Sequence, residues 1–391
     1  MRVAYLTEIP TPYREPLLDL LANQDGLELE VLYCSTTARG RDWKWDHKAH
    51  ECLPGINAAT GQGNLFLNPT IGRRLSRGQY DVVVISGYAH PTMVMAMLWC
   101  ALHKVPYILL SESQHLTRRS QLRRFVKRPL IQFAIKRASA FLVMGADGRD
   151  YLMSYGASRE RIFFFPNTPD VERIAEEVRV CRLNKAELKN ELGLLGKFLI
   201  LFVGRLAEEK NVEILLSAFR LLQRDFPDSG LAIIGDGPRR ELLMRLAGEL
   251  SLSNVTFVGF VDPEDLPKYY ALADVFALPS IYEPWGVVVL EAMASALPIV
   301  ISDKVGCVRD LVQARENGFV LPPSDKGRWA DALISLKRQT ALREEMGRNS
   351  RKVISEFDYV FCISQFRQAL ASVTQANHSI DAGQNQLTKL R

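Results

Sequence analysis

Cysteine is sparse in this 391-residue chain. The six residues Cys34, Cys52, Cys100, Cys181, Cys307 and Cys362 are widely spaced and include no C-x-x-C pair. That pattern excludes a disulfide scaffold and argues against a cysteine-held metal; reduced, cytosolic packing residues are expected. Long apolar runs are missing too. The longest, Met93–Leu102, has ten residues, against the roughly 20 that a membrane-spanning helix needs, so any membrane contact would be peripheral. The N-terminal MRVAYLTEIPTPYRE has no apolar stretch of the signal-peptide kind. No G-x-G-x-x-G follows the first apolar run, which disfavours a dinucleotide oxidoreductase. Charge of one sign is barely in excess, with Lys+Arg 49 against Asp+Glu 44 for a net +5. This predicts no nucleic-acid partner, yet permits anionic ones such as phosphates or lipid headgroups.

What is present is an ordinary globular composition, 47% hydrophobic and 24% charged, in a chain long enough for two or three domains with large cores. Short apolar runs alternate with helical patterns. Val3–Leu6, Leu27–Tyr33, Asp81–Ile85, Pro106–Leu110 and Ala140–Met144 read as strands. Thr11-Pro12 reads as a helix start, with Pro16 leaving that start open by about one turn, Pro91–Leu102 and Leu116–Arg137 as helices, and Arg39–Pro54 as a long loop. Turn chemistry at Pro166-Asn167-Thr168-Pro169 and a charged stretch then interrupt the pattern. A second alternating half follows, with strands at Phe198–Val203, Leu231–Ile234, Val255–Val258, Val275–Leu278 and Pro298–Ile301. Its first helix places Val212, Leu215, Leu216 and Phe219 at i, i+3, i+4 and i+7. The fold class expected is α/β, with two Rossmann-like doubly wound domains and a cleft between them. The boundaries expected are 1–168 for the first domain, 169–196 for a connection and 197–355 for the second domain. A helix over 356–372 follows, and then a disordered tail, 373–391.

Ligands of doubly wound sheets sit beyond the carboxyl ends of the strands, so residues just after strands matter most. Gly204 through Asn211, GRLAEEKN, follows one strand and places Arg205 and Lys210 before a helix. Two cations beside a helix N-terminus suit a diphosphate; the same residues also fit two solvated charges on a surface loop. After Val275–Leu278 comes Pro279-Ser280-Ile281-Tyr282-Glu283-Pro284-Trp285-Gly286-Val287, then an apolar helix holding Glu291. Pro284 and Gly286 keep Glu283 in the loop and put Glu291 about one turn into the helix, with free backbone N–H groups between them. That suits a ligand with hydroxyls at both ends and phosphates in the middle. Glu291 also fits a capping or solvent residue, but a carboxylate amid Val287–Leu290 and Ala292–Ala296 needs a partner.

In order, GRLAEEKN, IIGDGP, NVTFVGFV, LADVFALPSIYEPWGVVVLEAMASALPIV and NGFVLPP resemble the retaining GT-B glycosyltransferases of family 4, the group 1 glycosyltransferases. The Glu283-x7-Glu291 spacing is the most specific element. The resemblance is strong over residues 196–325 and weaker before them. It implies a two-domain GT-B enzyme that moves a sugar from a nucleoside-diphosphate sugar to a saccharide or lipid-linked acceptor, with retention. Arg205 and Lys210 would hold the diphosphate and neutralise the leaving group. Glu291 would accept the ribose hydroxyls. Glu283 would hold the donor sugar with backbone N–H groups around Trp285, Gly286 and Val287, and the Phe260-Val261 backbone would lie near the base. No cofactor and no metal are implied, and the chain has no Asp-x-Asp.

The first half departs from the family pattern. Glu8-Ile9-Pro10-Thr11-Pro12-Tyr13-Arg14 stands where many relatives carry Gly-Gly, so Tyr13 and Arg14 are candidate acceptor or phosphate contacts, or simply a Pro-stiffened loop. Where relatives place a histidine, Glu112 falls, with His115 three residues on. Glu112 is therefore a candidate for contacting the sugar or taking the acceptor's proton, and His90 a further acceptor candidate. Residues 115–137 carry Arg118, Arg119, Arg123, Arg124, Lys127, Arg128, Lys136 and Arg137 and no acid. Such a basic amphipathic segment suits an anionic membrane surface, which would place a cytoplasmic enzyme at the inner face of the cytoplasmic membrane. Two other readings stay open: a catalytically idle relative that binds nucleotide sugar or membrane as a partner subunit, and a nucleotide-sugar epimerase.

Overall fold

A computed structural model of the chain describes residues 1–37, 50–60, 63–112 and 121–388. The described residues form two units, Met1–Asn167 with Tyr359 onward, and Thr168–Asp358.

The first unit holds β1 (Arg2–Thr7), α1 (Glu15–Ala22), β2 (Glu28–Tyr33), β3 (Glu51–Cys52), β4 (Ile56–Thr60), β5 (Gly63–Leu67), α2 (Ile71–Gly78), β6 (Val82–Ser86), α3 (Pro91–His103), β7 (Tyr107–Ser111), α4 (Gln121–Arg137), β8 (Ala140–Val143), α5 (Ala146–Ser154) and β9 (Ile162–Phe164). The second holds α6 (Val171–Leu183), α7 (Lys185–Glu191), β10 (Phe198–Val203), α8 (Val212–Asp225), β11 (Ser229–Ile234), α9 (Arg240–Glu249), β12 (Val255–Gly259), α10 (Leu266–Leu272), β13 (Val275–Leu278), α11 (Val287–Ala294), β14 (Ile299–Ser302), α12 (Val308–Leu311), β15 (Gly318–Leu321), α13 (Lys326–Arg338) and α14 (Thr340–Ile354). The chain then rejoins the first unit as α15 (Tyr359–Thr388).

Both main sheets are parallel and doubly wound. Their orders are β3-β2-β1-β6-β7-β8-β9 and β12-β11-β10-β13-β14-β15, and β4-β5 is a separate antiparallel hairpin. Burial on both faces explains why the central strands read as continuous apolar runs. In β1, Ala4 and Leu6 join a core with Met93 and Met97 of α3. Val3 and Tyr5 face the other way, into a core with Leu17 and Leu21 of α1 and Phe366 and Leu370 of α15. The C-terminal helix thus closes one face of the first sheet. In the second unit α8 buries Val212, Leu215, Leu216 and Phe219, the four positions that its period predicts.

Several expectations are corrected. The stretch 169–196, expected as a connection, contains α6 and α7. Asp170 caps α6 by accepting the Arg173 N–H at 3.0 Å, and Val171, Ile174 and Val178 are buried at helical spacing, so an amphipathic helix lay behind the charged composition. The tail expected to be disordered continues α15 to Thr388; no proline stands in its way, and extending a formed helix is cheap. The first helix starts at Glu15, one turn after Thr11-Pro12, with Pro16 in its first turn. Strand β3 lies within the loop expected at Arg39–Pro54. Most of the basic segment falls outside the described residues, including His115, Arg118, Arg119 and the side chains of Arg123, Arg124 and Lys127. Among the described residues no helix is long and apolar enough to cross a membrane.

The loops beyond the second sheet approach one another closely. Gly235 has φ +123°, and a Cβ there would lie 2.0 Å from the Gly204 carbonyl oxygen. Gly235→Ala should therefore lower unfolding stability by at least about 3 kcal/mol in urea denaturation. Gly248 in α9 has nothing within 4 Å of an added Cβ, and Gly248→Ala should raise stability by about 0.5–1 kcal/mol. Equal effects of the two would contradict this packing.

Candidate active site

The order of the second sheet reverses between β10 and β13. Loops leaving two such strands diverge and open a crevice at their carboxyl ends. Here the two loops are tied together again. Ile281 N–H donates to the Glu209 carbonyl at 2.8 Å. Asn211, in left-handed conformation at φ 52°, donates its side-chain amide to Pro279 O at 3.2 Å and Pro323 O at 2.7 Å. Between these ties Lys210 Nζ forms an ion pair with Glu283 Oε2, and the two side chains are 16% and 15% exposed. Arg205, in the same loop, is exposed, and its guanidinium has no partner among the described residues. The two candidate phosphate cations therefore differ: one is held in place and one reaches into solvent.

Glu283 is fixed by its backbone as well. Its N–H donates to Lys304 O at 3.3 Å, its carbonyl accepts from Gly306 N–H at 2.9 Å, and the buried Trp285 accepts from Cys307 N–H at 3.2 Å. Gly286 then caps α11 with φ +95°; a Cβ would meet Val305 at 3.1 Å, Val289 at 3.3 Å and Glu283 at 3.4 Å. A glycine cap offers no side-chain acceptor; Val289 N–H turns back to Gly286 O at 2.9 Å, which leaves the Val287 and Val288 N–H groups at the helix start to face a ligand. Glu291 lies one turn further on, 6% exposed, and Tyr270 of α10 donates its hydroxyl to Oε2 at 2.7 Å. Burial pushes the Glu291 carboxyl above the usual 4.5, while the Tyr270 hydroxyl and then the Arg173 charge pull it back. Phe260 follows β12 with its ring 69% exposed, and Val261 beside it is half-buried.

In the first unit the order reverses between β1 and β6, and the loops after these strands carry Glu8 and His90. Phe66 N–H donates to His90 Nδ1 at 3.4 Å, so Nε2 bears the proton and donates to Glu8 Oε1 at 2.9 Å. Both ring nitrogens of this acceptor candidate are thus committed within the unit. Arg14 is turned inward, 7% exposed. It donates to Phe165 O at 3.5 Å and Pro166 O at 3.4 Å and stacks over the Phe165 ring. Tyr13 beside it is half-buried. Glu112 is exposed just past β7, near enough for its charge, with that of Arg14, to act on the buried Tyr5 hydroxyl, which bonds to Ser86. Among the described residues no three His, Cys, Asp or Glu side chains gather where they could hold a metal ion.

Comparison with known proteins accords with this architecture. Residues 184–353 match the family model of glycosyl transferases group 1, and residues 17–168 match that of a glycosyl transferase 4-like domain. The chain belongs to the group 1 glycosyltransferases. It is 38% identical over 167 residues to the alpha-D-kanosaminyltransferase of Streptomyces kanamyceticus, covering 42% of this chain and 43% of that one. It is 30% identical over 213 residues to the phosphatidyl-myo-inositol mannosyltransferase of Mycobacterium leprae, covering 54% of this chain and 56% of that one. The chain thus spans about half the length of the curated relatives it matches. In fold it is similar to Anabaena Alr3699/HepE in complex with UDP, with a TM-score of 0.75 at 19% identity over 95% of this chain and all of that one. The shared fold is GT-B.

Within this group 1 glycosyltransferase, sequence reasoning did not find Tyr270, Glu8 or Asn211. Tyr270 stands 21 residues from Glu291 and Glu8 stands 82 from His90, so no local spacing links them. The one signal was the rule that a buried carboxylate requires a partner.

The raised Glu291 pKa has a consequence for stability. The ligand-free folded protein keeps that proton to a higher pH than the unfolded chain does, so the stabilisation is present below 4.5 and is lost as pH rises through the folded value. Glu291→Gln removes the loss. Its melting temperature should exceed the parent's near neutral pH and converge with it as pH falls to about 4. A gap that is constant across that range in scanning calorimetry would contradict the assignment.

Proposed function

We propose that the chain transfers a sugar from a nucleoside-diphosphate sugar to an acceptor hydroxyl, with retention and without a metal, on a lipid-linked or cell-envelope saccharide. The observation that carries this is the Lys210–Glu283 pair at the switch point of the second sheet, beside the exposed Arg205 and the glycine-capped start of α11. The donor's diphosphate takes Lys210, Arg205 and the first N–H groups of α11. Its sugar takes Glu283, its ribose Glu291, and its base the backbone at Phe260 and Val261. The bond between the anomeric carbon and the diphosphate breaks, and its electron pair leaves with the diphosphate. The acceptor oxygen bonds to that carbon on the same face. Its proton passes to the departing diphosphate. The barrier falls because cations already in place meet the charge that develops on the leaving group.

In the first unit Tyr13 flanks the acceptor, Arg14, turned inward onto Phe165 and Pro166, braces that loop, and His90, already paired with Glu8, shapes the site. Support for a lipid-linked acceptor comes from the basic sequence of 115–137 and from the relative named for phosphatidyl-myo-inositol. The enzyme would work in the cytoplasm, at the inner face of the cytoplasmic membrane.

Calorimetric titration with UDP, GDP, ADP and dTDP tests the donor site. One nucleotide should bind the parent, and Arg205→Ala with Lys210→Ala should weaken it about 100-fold, as loss of two charge-assisted contacts implies. A folded parent that binds none of the four, or a double variant that binds as well as the parent, would overturn the reading.

A further inference from the structure

Glu283 is held by a cation; Glu291 is held by a neutral phenol. Glu291 sits in an apolar helix, and Tyr270, 1% exposed, reaches it from α10 at 2.7 Å while also lying 3.4 Å from Val288 O. The helix backbone at Glu291 is braced independently, because Ser295 donates both its N–H, at 3.0 Å, and its Oγ, at 2.8 Å, to the Glu291 carbonyl. The Tyr270 hydroxyl therefore bears chiefly on the carboxylate, its shorter bond, and reaches the helix backbone at Val288 O only at 3.4 Å.

We propose that Tyr270 is a positioning residue for nucleotide recognition: by occupying Oε2 it fixes the Glu291 carboxylate so that its other oxygen accepts the ribose hydroxyls. The inference rests on the donor-site reading above and adds to it a residue that sets the preference for a ribonucleotide. A carboxylate with one oxygen bonded to a fixed donor is held in one orientation with its other oxygen still an acceptor, and a neutral donor achieves this without cancelling the negative charge that ribose hydroxyls need. An arginine or lysine in the place of Tyr270 would compete with the ribose for that charge.

The charged and titratable groups that act on Glu291 are Tyr270 from α10 and Arg173 from α6. Arg173 is itself paired with Glu177 at 3.0 Å. Burial raises the Glu291 carboxyl, and the Tyr270 bond is the larger of the two influences that lower it. Without that hydroxyl, burial is opposed by Arg173 alone, and Glu291 takes up its proton at a higher pH than in the parent. A protonated carboxyl is the poorer acceptor, so ribose recognition weakens as pH falls.

The test compares UDP with 2′-deoxy-UDP, and GDP with 2′-deoxy-GDP, on the parent, Tyr270→Phe and Glu291→Gln. Tyr270→Phe keeps the ring that packs 6.2 Å from Phe276. The parent should favour the ribonucleotide about 10-fold, as one charge-assisted hydrogen bond implies. Tyr270→Phe should lose part of that preference, and the loss should grow more steeply than in the parent as pH falls from about 8 to about 5.5, because without the hydroxyl Glu291 takes up its proton at a higher pH. Its affinity for the deoxy nucleotides should stay unchanged, an outcome that a merely structural role would not produce. Glu291→Gln should lose the preference at both pH values. A Tyr270→Phe protein with the parent's preference at both pH values, or with equal losses for ribo and deoxy forms, overturns the inference. So does a parent that binds a nucleotide without discriminating the deoxy form, although the diphosphate site then stands. A parent that binds none of UDP, GDP, ADP and dTDP removes the donor-site reading and this inference with it.

Discussion

Two loops that diverge from neighbouring strands must be held in register, and in the second unit an ion pair across the switch point does this. Loops after β10 and β13 belong to separate βα units, so nothing in local sequence sets their distance. Lys210 and Glu283 set it, aided by Ile281 on Glu209 and Asn211 on Pro279. Gly235, which must pass against Gly204, and Gly286, which must clear Val305, are consequences of how closely the loops then pack. The first unit solves the same problem with Glu8 and His90. There the link is a neutral imidazole N–H to a carboxylate, with Phe66 holding the other ring nitrogen, so it serves as a brace and leaves little to offer an anion.

Stability alone is a poor reason for the Lys210–Glu283 pair. With side chains only 16% and 15% exposed, the pair's attraction is largely offset by the cost of withdrawing both charges from water. Preorganisation is the better reason. On the proposed function, a cation and a carboxylate held side by side would present opposite charges to a ligand that carries phosphates next to sugar hydroxyls, with little side-chain freedom lost on binding. Glu291 shows the contrary arrangement. Its carboxylate is withdrawn from water and bonded to a phenol, so it keeps its acceptor strength while its protonation is biased by burial. Two glutamates eight residues apart thus receive different surroundings, one from a loop and one from a helix.

Much of the fold was legible. Central strands of a parallel sheet are buried on both faces and read as unbroken apolar runs, and the buried face of α8 followed its period position by position. What escaped was short or set by distant contacts. β9 and β15 have three and four residues, too few for a period to emerge. The β4–β5 hairpin carries alanine, asparagine and glycine among its apolar residues. Helix α6 was hidden behind turn residues and charge, although its apolar spacing was there to be read. At the site, Glu283 and Glu291 were legible because Pro284 and Gly286 force a loop between them and an apolar helix. Their partners were less so, because Lys210 was read as a candidate phosphate cation without its bond to Glu283, and nothing in the sequence linked Tyr270 to Glu291.

The central claim is that the charge pair at the second switch point is organised for a sugar linked to a diphosphate. The most direct measurement is nucleoside-diphosphate release from UDP-, GDP-, ADP- and dTDP-linked sugars by the parent and by Glu283→Gln, with nucleoside-diphosphate binding followed in parallel. The account predicts release from one donor class, a fall of about 100-fold or more in Glu283→Gln, and nucleoside-diphosphate affinity that is kept or tightened because Lys210 is freed. Release that is indifferent to Glu283→Gln, or lost only in proportion to nucleotide binding, would contradict it.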